Sequence, residues 1–190
     1  MSLQLITILW MCAEAVIAIF AALRAHSVAL LGFGGDSGIE LASAFVVFLQ
    51  FKRVSHIDEK RAARITGLLL FSLAAFILVN SILAFTNPRF RPEPSYLGIG
   101  LLIAAAIVMP WLSSQKRALA AKTNSGSLRA DAVQSSMCAY LAWIALAGLV
   151  LNAVFKISWA DPIAALLLLP LVLREGYDAM LGKSCCDCVN

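Results

Sequence analysis

The chain has 190 residues, of which 61% are hydrophobic and 14% charged, and a mean hydropathy of +0.86. A water-soluble fold would have to expose much of that apolar surface, whereas a bilayer accepts it, and spans of roughly 20 residues joined by short linkers leave no length for a soluble domain. The net charge of +4 is read by position, because Lys and Arg mark the cytoplasmic side of a membrane protein, and no soluble basic domain supports nucleic-acid binding.

The first apolar stretch covers residues 3 to 23. It follows no basic n-region and precedes no small-residue cleavage site, so it reads as a retained helix rather than a signal peptide. Glu14 sits mid-way along it, near Cys12. An intramembrane carboxyl costs about 3 kcal/mol on insertion scales, so Glu14 either hydrogen-bonds a neighbouring helix or belongs to a proton pathway. The second stretch, 27 to 51, contains GFGGDSGIE, in which Asp36 and Glu40 are four residues apart and share one helix face. Two carboxylates so close in a low dielectric either share a proton or are neutralised by a cation. The competing reading is that Asp36 solvates or caps the start of a helix loosened and wetted around Gly34 and Gly35.

The third and fourth stretches, 65 to 86 and 96 to 113, are joined by NPRFRPEPSY, whose three prolines read as a stiff external connection. Residues 113 to 128 read as a mobile cytoplasmic loop. The fifth stretch, 130 to 155, carries Asp131, then Gln134 and Cys138 four apart. A thiolate with carboxylate and amide oxygens suits a borderline or soft divalent ion such as zinc or cadmium. Cys as an apolar filler and Gln as an interhelical hydrogen bonder is the packing alternative. The sixth stretch, 159 to 173, reaches residue 177 if Arg174 and Tyr177 extend toward the interface.

Eleven of the basic residues fall in Lys52 to Arg64, Lys116 to Arg129 and the C-terminal end from Arg174 on, against four elsewhere, which places both termini and these two loops in the cytoplasm. The expected fold is an all-α integral membrane protein. Residues 1 to 180 form a bundle of six transmembrane helices, and 181 to 190 a short Cys-rich cytoplasmic tail. Five cysteines so distributed form no disulfide framework. Cys185, Cys186 and Cys188, with Asp187 among them, would capture soft metal, or else form a palmitoylation target or an inert end. His26 and His56, at helix ends or in loops, read as solvated polar residues. No nucleophile, metalloprotease or nucleotide-binding motif is present, so neither an enzyme nor a tightly bound cofactor is expected.

The segment HSVALLGFGGDSGIELASA resembles the second helix of the cation diffusion facilitator family, with Asp36, Ser37 and Glu40 at the positions of its Asp, Ser and second acid. SLRADAVQSSMCAY and WADPIAALLLLPLVLREGYDAM are similar to its fifth and sixth helices. The resemblance spans nearly the whole chain. It implies a proton-coupled exporter of divalent metal, acting as a homodimer, with a tetrahedral site between the second and fifth helices and alternating access by rocking of helices. The implied ligands here are Asp36, Glu40, Gln134 and Cys138, since Gln134 and Cys138 stand where the family carries H-x-x-x-D and Glu40 replaces its commoner Asp.

A neutral amide oxygen binds zinc weakly, which makes Gln134 the weakest of the four, and a soft thiolate tilts preference toward zinc or cadmium over magnesium or manganese. With the family's histidine absent, the exchanged proton would ride on Asp36, Glu40 or Cys138. The family's usual appended cytoplasmic metal-binding domain has no counterpart in these residues, and the SCCDC tail would act as its substitute in metal capture. The expected location is a bacterial cytoplasmic membrane, with metal ions, protons and lipid as partners. The rival reading is a non-transporting metal-binding or accessory protein on the same fold.

Overall fold

The computed structural model of the chain describes residues 2–51, 59–87, 90–123 and 126–181. Among the described residues are six α-helices and no strand: α1 (Ser2–Ala25), α2 (Val28–Phe51), α3 (Glu59–Thr86), α4 (Tyr96–Thr123), α5 (Gly126–Phe155) and α6 (Ala160–Met180). Among the described residues, four stretches are long and apolar enough to cross a membrane: Thr7–Ala25, Ala63–Thr86, Tyr96–Lys122 and Ala132–Phe155. A helix suits that solvent because it satisfies its own backbone hydrogen bonds.

The helix ends follow local chemistry. α1 stops because His26 adopts a left-handed φ of 50° and the Ser27 N–H returns to the Ala22 carbonyl at 3.1 Å, a Schellman-type closure. Lys156 takes the same left-handed conformation, φ 54°, just beyond α5. His26 is exposed in its turn, in keeping with a solvated histidine. The proline-rich connection between α3 and α4 is tied down at two points. The Glu93 N–H donates to the Ala25 carbonyl at 2.8 Å, and the Asn152 amide donates to the Pro92 carbonyl at 3.1 Å.

α4 packs extensively on α5, α3 on α6 and α1 on α2, while α2 also touches α3, α5 and α6. Small residues set these approaches. A Cβ on Gly34 would lie 2.8 Å from the Ala18 Cβ and 3.1 Å from the Ile19 backbone nitrogen, and one on Gly67 would lie 2.8 Å from the Gly176 carbonyl oxygen. The GFGGD segment is therefore a packing surface, buried at Gly34, and not the wetted, loosened helix start that its glycines imply.

The distribution of side chains inverts that of a water-soluble bundle. Leu9, Val16, Leu23, Ile107 and Val154 each leave more than half their surface exposed, while Glu14, Asp36, Lys116 and Asp161 are buried. An exterior as apolar as the core, with charged side chains buried inside, is stable only where the surrounding solvent is itself apolar.

Helix lengths correct three expectations. α4 runs ten residues past residue 113, so the segment expected as a mobile loop is helical through Thr123. Residues 115 to 121, QKRALAA, are strong helix formers, and Lys116 and Ala120 are buried. α3 starts at Glu59 rather than at 65. α6 continues to Met180, with Arg174 turned outward in an ion pair to Asp178 at 4.0 Å.

Candidate metal centre

Asp36 lies eight residues beyond the first residue of α2, and Glu40 one turn further. Their shared face meets α5 where Gln134 and Cys138 also stack four apart, so two i, i+4 pairs from different helices oppose one another. One ligand atom each from Asp36, Glu40 and Cys138 lies within 4.8 Å of the others. The Cys138 thiol donates to Glu40 Oε2 at 3.3 Å, and the Gln134 amide nitrogen donates to Glu40 Oε1. Donors on a tetrahedral zinc stand about 3.3 to 3.8 Å apart, from bond lengths near 2.0 to 2.3 Å, so a small inward movement of three side chains would close this triad on one ion.

Asp36 sits differently from Glu40. It is 1% exposed, and neither of its oxygens accepts from an N–H or hydroxyl group; its polar neighbour is the carboxyl of Glu175. Capping of the α2 start is excluded for Asp36, because that role belongs to another residue. Asp161, at the beginning of α6, accepts from Ser27 Oγ at 2.5 Å and from the backbone N–H groups of Val28 at 2.8 Å and Ala29 at 3.4 Å. Ser27 Oγ in turn accepts from the Leu30 N–H at 3.1 Å. A carboxylate on the first free N–H groups of a helix satisfies both the orphan donors and the helix dipole, so the WADP turn of the sequence is a structural brace.

Glu14 is 1% exposed and accepts from Ser37 Oγ at 3.3 Å across the α1–α2 contact, while its Oε2 has no partner. The interhelical hydrogen bond expected of it is present, and it lies within electrostatic reach of Asp36 and Glu40. Cys12 is exposed and free, away from this interior. Cys138 is packed among Met109, Leu112 and Ala139, with Trp10, Met11 and Val108 around them.

Two further residues reach this centre without a motif that marks them in the sequence. Glu175 of α6 is within electrostatic reach of Asp36 and Glu40. The signal for it was the spacing Leu168, Val172, Glu175, which continues a buried stripe while Arg174 and Asp178 point elsewhere. Lys116 of α4, 1% exposed, donates to Ser135 Oγ at 2.9 Å and sits within electrostatic reach of Glu40. It had been placed in a loop. Beside it, Arg117 donates to Ser136 Oγ at 2.8 Å, and Ser113 Oγ donates to the Ala132 carbonyl at 2.8 Å, so the ends of α4 and α5 are cross-braced. The tail residues Cys185, Cys186 and Cys188, and His56, lie outside the described residues.

Chemically, the centre is a buried cluster of carboxyls and one thiol with few neutral donors, Ser37 to Glu14 and Gln134 to Glu40. Such a cluster is unfavourable unless protons or a cation offset its charge. No curated protein matches the chain. The family model described as the cation efflux transmembrane domain matches residues 5–181, so this chain is an integral membrane protein belonging to the cation efflux family, whose members transport metal cations.

Proposed function

We propose that the chain is a secondary transporter that exports divalent metal, zinc or cadmium in preference to magnesium or manganese, from the cytoplasm in exchange for protons. In this reading it works as a homodimer in a bacterial cytoplasmic membrane, with all six helices crossing and both termini on the cytoplasmic side. The observation that carries it is the convergence of Asp36, Glu40 and Cys138 within 4.8 Å, with no N–H or hydroxyl group donating to the buried Asp36 carboxyl. Asp36 and Glu40 lie about 12 and 18 Å along α2 from its first residue at 1.5 Å per residue, a depth well inside a bilayer about 30 Å thick.

Metal preference follows from the donor set. Two carboxylates and a thiolate favour a borderline or soft ion, while magnesium and manganese prefer oxygen alone. Proton exchange follows from charge. The carboxyls and the thiol must lose protons to bind a dication, so binding releases protons and acidification weakens it. Gln134 orients Glu40 through its amide nitrogen and has no proton to exchange.

The test is zinc and cadmium uptake into proteoliposomes under an imposed pH gradient. An acidic lumen should accelerate metal uptake, since protons leave as metal enters. Asp36→Ala should abolish uptake, and Cys138→Ala should shift preference away from cadmium. Uptake by the parent that is indifferent to the gradient would remove proton exchange from the reading. A well-folded parent with no uptake would leave a metal-binding accessory protein on this fold.

A further inference from the structure

Glu175 is buried at both oxygens, and neither accepts from an N–H or hydroxyl donor; the group it faces is the carboxyl of Asp36. The position of Glu175 is rigidly set, because α6 lies against α3 at the close contact of Gly67 with Gly176, the residue next to it. One turn earlier, Val172 shares an apolar cluster with Ile39 of α2, so this face of α6 looks onto the stretch of α2 that bears Asp36 and Glu40. The charged neighbours Arg174 and Asp178 pair with each other on the outside, their side chains 71% and 47% exposed, and Arg174 does not neutralise it.

Asp36 is in the same condition, 1% exposed and without an N–H or hydroxyl donor on either oxygen, and its carboxyl stands within hydrogen-bonding reach of that of Glu175, so the two can share a proton when no cation is bound. A tetrahedral ion takes four donors, whereas the triad of Asp36, Glu40 and Cys138 supplies three. Gln134 presents its amide nitrogen to Glu40, which leaves only its neutral amide oxygen, a weak donor to zinc, for an ion.

We infer that Glu175 is the fourth ligand of the cation site, its carboxylate swinging on flexible side-chain torsions toward a dication seated against Asp36, with Gln134 serving to hold Glu40. This rests on the metal-site reading above and extends it to a third helix. A dication on three carboxylates and a thiolate carries the same net charge as a four-thiolate zinc site, and buried Lys116 within reach of Glu40 offsets part of it. The cation would then tie the α3–α6 pair to the helices that carry the other ligands.

The experiment is a cadmium titration of the purified protein in a background with Cys12, Cys185, Cys186 and Cys188 changed to Ser, so that the ultraviolet cadmium–thiolate band reports Cys138 alone. Glu175→Gln and Glu175→Leu should each raise the cadmium Kd by about tenfold or more, the scale of losing a metal-holding contact, with the band still reaching full height at saturation. Glu175→Asp should recover part of the affinity, and melting of the metal-free protein should not fall in any of the three. A Kd within about twofold of the parent for Glu175→Gln, while Asp36→Ala abolishes the band, overturns this inference and leaves the metal site standing. No band in the parent overturns both.

Discussion

Asp161 and Asp36 are both buried aspartates, 0% and 1% exposed, and both concern α2, yet their surroundings are opposite. Asp161 is satisfied by one hydroxyl and two backbone N–H groups at the α2 start. Asp36, a little over two turns further along, has no N–H or hydroxyl donor and sits among the other acids Glu40, Glu175 and Glu14. A buried carboxyl that is fully hydrogen-bonded is consistent with holding structure together. One left unsatisfied costs folding free energy, and such a cost is tolerated where a bound species later repays it. Burial by itself therefore does not distinguish brace from site; the hydrogen-bond inventory does.

The sharpest way to break this contrast is at Asp36. Asp36→Ala should lower metal flux by at least about 100-fold, given the loss of a carboxylate ligand, while the melting temperature of the detergent-solubilised protein stays level or rises. A protein that melts much earlier would make Asp36 a structural residue like Asp161. Asp161→Ala should do the reverse. Losing hydrogen bonds to a buried charge costs about 3 kcal/mol, read as reduced yield and a lower melting temperature, with cadmium affinity in the surviving folded fraction close to that of the parent.

Cys138→Ala sharpens the comparison on the metal side. Cadmium affinity should fall by about tenfold more than zinc affinity, because the soft donor matters more to the softer ion, which paired titrations would reveal. The smallest effect is expected at Ser37→Ala. It removes one 3.3 Å hydrogen bond to Glu14, worth about 1 kcal/mol, and flux should stay within a few-fold unless Glu14 is an obligate step of a proton path.

Much of the site was legible because its residues come as i, i+4 pairs within single helices. Asp36 with Glu40, and Gln134 with Cys138, declare a shared face by spacing alone. Glu175 and Lys116 were not legible in this way. Each belongs to the centre only because a non-neighbouring helix brings it there, α6 through the Gly67 and Gly176 contact and α4 through its continuation past residue 113. The glycines before Asp36 left two readings open for a related reason. In sequence they signal a loosened helix, whereas in the bundle Gly34 admits Ala18 and the α1 backbone.

What the sequence determined by itself was the class of solvent, the number and order of helices, and the two acid and thiol pairs. Hydropathy and helical spacing are local properties that every stretch carries without reference to the rest. Only the tertiary structure decided which carboxyl is a brace and which is left open, and which helix adds a further acid to the cluster. Those outcomes depend on distances between atoms more than a hundred residues apart, such as Ser27 and Asp161, 134 residues from each other in the chain and 2.5 Å apart in space. Such distances are set by how closely small residues let the helices approach.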